Sequence, residues 1–320
     1  MQTLDAMGGA NAVPSMGAAT DVPALRAQVG EMVAQMAASQ PPPDYSGVKK
    51  SEIQIPMRDG KSIRTVLYQP ESGAPGPLVV LYHGGGFCIG FPEMEEGIAL
   101  EVVRTSGATA LSVDYRMAPE HPFPGPTDDS WDALKWAAAN ASKIGADPSK
   151  GFIIGGTSAG GIITCVLSHQ ARDEKLSPPL TGIWLNIPSV VAQSQIPPQY
   201  RDIMTAFKQN ENAPILDRTA IDFFMKWYAP VESDPKHSAL LWPGGHKDLP
   251  PHLIQCAGLD PLRDDALVYT GVLKEAGVPV ETIVYPGVPH GFDGMFAQLG
   301  ATKKFIADRG AWFAKALGKK

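Results

Sequence analysis

The sequence predicts an α/β fold in which a mostly parallel central sheet is flanked by helices and carries a helical cap. Three observations predict it. Short, continuously apolar strand candidates such as Leu78-Val79-Val80-Leu81-Tyr82 recur along the chain, as expected of strands buried on both faces. Longer stretches of helical period separate them, and strands alternating with helices build parallel sheets. Between residues 188 and 250 the alternation stops, in a segment with Ile196-Pro197-Pro198 and the aromatic run from Ile221 to Tyr228.

Composition narrows the function classes. The chain has 320 residues, 27 Lys and Arg against 33 Asp and Glu, a formal charge of −6 and 44% hydrophobic residues. That apolar content builds a sizeable core and excludes wholesale disorder. The mild acidity leaves no electrostatic footprint for nucleic acid, since basic runs stop at pairs such as Lys49-Lys50. Three widely spaced cysteines, Cys88, Cys165 and Cys256, point away from a disulfide framework or zinc site and fit a reducing compartment. No apolar run approaches the roughly 18–20 residues of a membrane span, so a soluble protein without one is expected. Residues 1–20 carry one charge, Asp5, and have neither a basic start nor a continuous apolar stretch. They read as a flexible tail without a targeting signal, and a cytoplasmic location follows by default.

In chain order, Val22, Leu25, Val29, Met32, Val33 and Met36 fall at helical spacing ahead of Pro41-Pro42-Pro43. A prolyl run cannot continue a helix, so residues 21–45 are expected to supply N-terminal cap helices on a stiff connector. A core over 46–187 opens with alternating segments Ser51–Met57 and Lys61–Tyr68, split by Arg58-Asp59-Gly60, which predict a β-hairpin. Strands are then expected over Pro77–Tyr82, Ala108–Asp114, Gly151–Gly155 and Leu180–Ile187. Helices over Glu93–Thr105, Thr127–Ser142 and Ser158–Ala171 lie between them. Residues 188–250 read as an insertion that completes the cap. The core resumes over 251–320 with strands His252–Ala257 and Val278–Tyr285 and helices Arg263–Ala276 and Gln298–Leu317.

Chemistry enters at Gly156-Thr157-Ser158-Ala159-Gly160, a G-x-S-x-G run between an apolar strand and a helix. A serine on such a strained turn is thrust out at the carboxyl edge of the sheet. Glycines flank it because a Cβ there would strike the neighbouring strand and helix, and the helix N-terminus favours developing negative charge. After the strand Pro77–Tyr82 comes Tyr82-His83-Gly84-Gly85-Gly86-Phe87, placed as a loop whose amides could hold an oxyanion. No G-K-[ST] follows it, which argues against a phosphate loop. A base and its orienter should follow the serine in the order acid, then histidine. Of seven histidines, His83 and His121 precede the serine, His169 lies on the helix after it, His237 and His246 fall in 188–250, and His252 opens a strand. His290 remains, in a loop after a strand. Asp260 ends the preceding strand; Asp264 and Asp265 compete, but sit where helix-capping charge belongs.

These blocks resemble the hormone-sensitive-lipase-like branch of the α/β-hydrolases, a family of carboxylesterases and lipases. The resemblance runs from Gln69 to the carboxyl terminus. It rests on Tyr82–Phe87 (YHGGGF), Asp114–Pro124 (DYRMAPEHPFP), Gly156–Gly161 (GTSAGG), Asp260–Asp264 (DPLRD) and His290-Gly291-Phe292. It implies an α/β-hydrolase fold, with Ser158 as nucleophile, His290 as base, Asp260 as acid and the amides of Gly85, Gly86 and Ala159 as oxyanion hole. Thr157 stands where many members have aspartate, which marks a GTSAGG subgroup. His83, Asp114, Arg116 and Glu120 look structural in this family, and a homodimer through the last strand and helix is among its habits.

The expected reaction is two-step hydrolysis of a small-molecule carboxylic ester through an acyl-enzyme, with no metal or organic cofactor. Phe87, Ile89 and Phe292 are expected to line the acyl pocket, and Phe224 and Trp227 to form an apolar lid. Short- to medium-chain esters are the family-level expectation. A tailoring thioesterase or lyase, or a receptor on the same fold, is the alternative; the presence of His290 counts against a pure receptor.

Overall fold

A computed structural model describes residues 16, 19–39 and 42–318. Most of the expected tail (residues 1–15, 17 and 18) and Pro41 of the prolyl connector lie outside the described residues.

Eight strands form one sheet: β1 (Val48–Pro56), β2 (Ser62–Pro70), β3 (Leu78–Tyr82), β4 (Thr109–Val113), β5 (Phe152–Thr157), β6 (Gly182–Asn186), β7 (His252–Ala257) and β8 (Val280–Tyr285). Their order is β1-β2-β4-β3-β5-β6-β7-β8. β1, β2 and β4 pair antiparallel, and every other neighbour is parallel. The hairpin turns at Arg58-Asp59-Gly60, where Gly60 adopts φ +79°, as the charged tripeptide predicts.

Nine α-helices accompany the sheet: α1 (Val22–Ser39), α2 (Glu96–Ser106), α3 (Gly125–Ala139), α4 (Ala159–Asp173), α5 (Ala206–Gln209), α6 (Arg218–Tyr228), α7 (Arg263–Glu275), α8 (Phe292–Met295) and α9 (Gly300–Ala316), counted among the described residues. The expected helix at Glu93 begins instead as a 3₁₀ turn over Pro92–Glu95, with a proline in its first turn, and becomes α-helical at Glu96. The apolar runs of the strands feed both faces. Leu78, Val80 and Tyr82 join one buried cluster with Leu134 and Ile163, while Val79 and Leu81 join another with Val102 and Phe305. This alternation is the two-residue period of a strand covered on both sides.

Among the described residues of 21–45 there is one helix, α1, whose Val22 and Leu25 are buried and contribute roughly 1.5–3 kcal/mol each by leaving water. Residues 188–250 contain no strand. Within them α6 starts where the Asp217 side chain accepts from Ala220 N at 2.7 Å, a side-chain N-cap. It buries Ala220, Phe224 and Tyr228, four residues apart, on one face. No described helix is long and apolar enough to cross a membrane.

Candidate active site

The parallel strands end together, and the loops leaving β3, β5, β7 and β8 carry the residues singled out by the motifs. Ser158 sits between β5 and α4 at φ +55° and ψ −113°, a conformation costing a non-glycine residue on the order of 1–3 kcal/mol. The packing around it explains the two flanking glycines. A Cβ on Gly160 would stand 1.9 Å from the carbonyl oxygen of Tyr82 on β3, and one on Gly156 would stand 2.3 Å from that of Gly160. Only glycines let α4 start this close to the sheet.

Ser158, half-buried, meets His290, whose Nε2 lies 2.8 Å from Ser158 Oγ. His290 Nδ1 lies 2.7 Å from Asp260 Oδ2. An ionised carboxylate can only accept, so Nδ1 carries the proton and Nε2 is left to accept from the serine hydroxyl. Asp260 is fully buried and its Oδ1 accepts from Leu262 N at 2.8 Å, which fixes the carboxylate. Asp264 and Asp265 go elsewhere. Asp264 Oδ2 accepts from Thr205 N and Ala206 N at 2.7 Å each, and Asp265 Oδ1 from Val190 N and Ser189 Oγ at 2.9 Å each. They anchor the 188–250 segment to α7. Burial, partly opposed by those bonds, pushes the Asp265 carboxyl up to about 7.

The glycine loop curls over the same rim. Gly85 and Gly86 take φ +118° and +58°, where glycine is at ease. Gly85 O accepts from Cys88 N and Ile89 N at 3.0 Å, and Phe87 O accepts from Ala118 N at 2.9 Å. Among the described residues nothing accepts from the N–H groups of Gly85, Gly86 or Ala159. Arg26 of α1 braces this loop: Nε donates to Cys88 O and Nη2 to Ala118 O, both at 2.8 Å, while the guanidinium grips Glu120 at 2.8 and 2.9 Å. His83 is buried, stacked on Tyr115 with ring centroids 4.2 Å apart, and held down to about 4 by burial. Arg116 pairs with Asp129 and Asp59, and Asp114 with Arg64. All four polar residues of these motifs therefore hold loops in place.

The aromatic candidates divide. Phe224 lies on the loop: a Cβ on Gly86 would stand 2.3 Å from its ring. Phe87 is buried and stacks on Tyr228 at 3.8 Å, and Ile89 backs Gly85, its carbonyl oxygen 2.1 Å from where a Cβ would stand. Trp227 lies against Phe223, its buried Nε1 without an acceptor among the described residues. Phe292 is a core residue, packed between Tyr285 and Phe305. The reason is helical direction: α8 begins at Phe292 and turns the ring down toward α9. Among the described residues no group of three or more His, Cys, Asp or Glu could hold a metal ion.

Residues 79–294 match a family described by its alpha/beta hydrolase fold. The chain belongs to the α/β-hydrolase family. Among relatives of this α/β hydrolase, the AB hydrolase superfamily protein B1A11.02 of Schizosaccharomyces pombe is 38% identical over 293 residues, covering 90% of this chain and 86% of that one. The carboxylesterase NlhH of Mycobacterium tuberculosis is 42% identical over 221 residues, 68% of this chain and 66% of its own. Among solved structures, vibralactone cyclase superposes with a TM-score of 0.87 at 31% identity, covering 94% of this α/β hydrolase and 90% of the cyclase. The hormone-sensitive-lipase-like resemblance of the motifs agrees with these relatives.

Arg26 has no signature in the sequence as a residue that braces the site, because it lies on a helix remote in sequence from everything it holds.

Proposed function

We propose that this α/β hydrolase is a serine carboxylesterase acting on short- to medium-chain esters. One observation carries the reading: Asp260, His290 and Ser158 form an unbroken hydrogen-bonded line, with bonds of 2.7 and 2.8 Å. In this reading His290 Nε2 takes the Ser158 proton as Oγ attacks the ester carbonyl, and Asp260 stabilises the imidazolium that results. The alkoxide oxygen is held by the amides of Gly85, Gly86 and Ala159, each such donor lowering the barrier by roughly 2.7–4 kcal/mol. His290 then gives its proton to the departing alcohol, an acyl-enzyme remains on Ser158, and water attacks it by the same route in reverse.

Substrate size follows from the cap. We assign α1 and the 188–250 segment to it, because α6 carries Phe224 onto Gly86 and Arg26 grips the loop from α1. The Phe224 ring packed on the oxyanion loop supports a short to medium acyl chain. Thr157 fits the GTSAGG grouping.

A second reading has a specific support, the likeness to vibralactone cyclase. There an alcohol within the acyl group would take the place of water at the acyl-enzyme. A panel of p-nitrophenyl esters of increasing acyl length, with the acid product quantified, separates the two. We expect turnover to peak at acetate to hexanoate and to release one equivalent of free acid. On a p-nitrophenyl ester whose acyl chain carries a hydroxyl group, phenol release with the lactone in place of the free hydroxy acid would favour the second reading.

A further inference from the structure

The bonds between α1 and the glycine loop run in a line. Arg26 Nε donates to Cys88 O at 2.8 Å. The Cys88 carbonyl and the Ile89 N–H belong to one planar trans peptide unit, so they point in opposite directions. Ile89 N donates to Gly85 O at 3.0 Å, as does Cys88 N. The Gly85 carbonyl and the Gly86 N–H again share one trans peptide plane. The line therefore passes from the guanidinium through two peptide units and ends on the Gly86 N–H, which has no acceptor among the described residues.

The far end of the line is fixed from a second direction. Arg26 Nη2 donates to Ala118 O at 2.8 Å, and Ala118 N donates to Phe87 O at 2.9 Å. One planar fork thus joins the loops after β3 and β4. Among the described residues neither the Cys88 nor the Ala118 carbonyl accepts from a backbone N–H, so Arg26 is what holds them. The pair with Glu120 is open to solvent and adds little stability by itself. Its two bonds, at 2.8 and 2.9 Å, set the plane of the guanidinium. A lysine carries its donors on a single atom and cannot span both carbonyls in that plane. An oxyanion donor works when it is aimed at the position where charge develops, and hydrogen bonds in a chain polarise one another.

We propose that Arg26 is a positioning residue for the oxyanion hole: through peptide units 88–89 and 85–86 it aims and polarises the Gly86 N–H. The N-terminal helix then sets how strongly the loop binds the alkoxide, without touching substrate. This rests on the hydrolytic reading, in which the Gly86 amide meets that oxygen.

The test compares kcat and KM for p-nitrophenyl butyrate, and inhibition by butylboronic acid, in wild type, Arg26→Gln and Arg26→Lys. Boron accepts a lone pair from Ser158 Oγ while the hydroxyl proton passes to His290, leaving a tetrahedral anion that mimics the alkoxide intermediate. Arg26→Gln is expected to lose about 10- to 100-fold in kcat, less than the roughly 10²–10³-fold of deleting a donor outright. KM should stay within about twofold, and the boronate inhibition constant should rise by the factor that kcat/KM falls. Arg26→Lys, able to place an N–H on the Cys88 carbonyl alone, should recover part of the loss. A lower melting temperature with kcat and boronate inhibition unchanged, or a loss carried by KM alone, overturns the proposal while leaving hydrolysis standing. Should Arg26→Gln not fold, Arg26→Lys against wild type makes the same comparison. Should wild type turn over no ester, the hydrolytic reading falls and the amide resonance of Gly86 decides whether the relay exists. An upfield shift of that proton in the substituted protein supports the relay; superimposable resonances overturn it.

Discussion

Ser158→Ala should reduce p-nitrophenyl butyrate turnover about 10⁶-fold, with the thermal midpoint nearly unchanged. The size of the effect follows from the chemistry. Without Oγ there is no acyl-enzyme, and the amides of Gly85, Gly86 and Ala159 can only favour direct attack by water, a residual of roughly 10³–10⁴ over the uncatalysed rate. The fold should tolerate the change, because the half-buried hydroxyl is bonded to His290 alone among the described residues. Relief of a strained serine is not expected, since alanine must adopt the same φ of +55°. Initial rates with and without the substitution, alongside a melting curve, check both halves of this expectation.

Asp260→Asn should cost about 10⁴-fold in kcat. An asparagine fits the space but offers an N–H or a weaker acceptor where Oδ2 now takes the Nδ1 proton of His290 at 2.7 Å. With the amide N–H facing the ring, the imidazole must accept at Nδ1 and carry its proton at Nε2. It then faces the Ser158 hydroxyl with a donor where an acceptor is required. The substitution also removes the charge that stabilises the imidazolium. Because Ser158, His290 and Asp260 work as one unit, the double variant Ser158→Ala/Asp260→Asn should be no slower than Ser158→Ala alone. Rates for the two single variants and the double variant form the cycle that tests this; additive losses would show that Asp260 acts outside the Ser158 pathway.

Much of this site was legible in the sequence because its parts have local signatures. The turn around Ser158 is written in Gly156 and Gly160, which close contacts with Tyr82 and α4 demand. The loop at Gly85 is written in three consecutive glycines, and Asp260 and His290 were reached by their order at strand ends. Strand positions were nearly as plain: β7 spans His252–Ala257 as expected, β3, β4, β6 and β8 start one or two residues inside the expected runs, and β1, β2 and β5 extend two or three residues past theirs at one end. What stayed hidden depends on contacts between distant segments. Phe292 sits next to the base in sequence, yet the start of α8 turns it into the core with Tyr285 and Phe305. Asp264 and Asp265 have the look of capping charge, but their carboxylates hold residues 189–190 and 205–206. Arg26 reaches partners 62 and 92 residues away, at Cys88 and Ala118, and no periodicity announces such a bond.

The most direct test asks which atom bonds the substrate carbonyl. Incubating the protein with a fluorophosphonate ester and mapping the adduct by mass spectrometry answers it. The account predicts one phosphonyl group per chain, on the peptide containing Ser158, with esterase activity lost in step and labelling greatly slowed in His290→Ala. Full inhibition with the label on another residue, or unchanged labelling and turnover in Ser158→Ala, would contradict it.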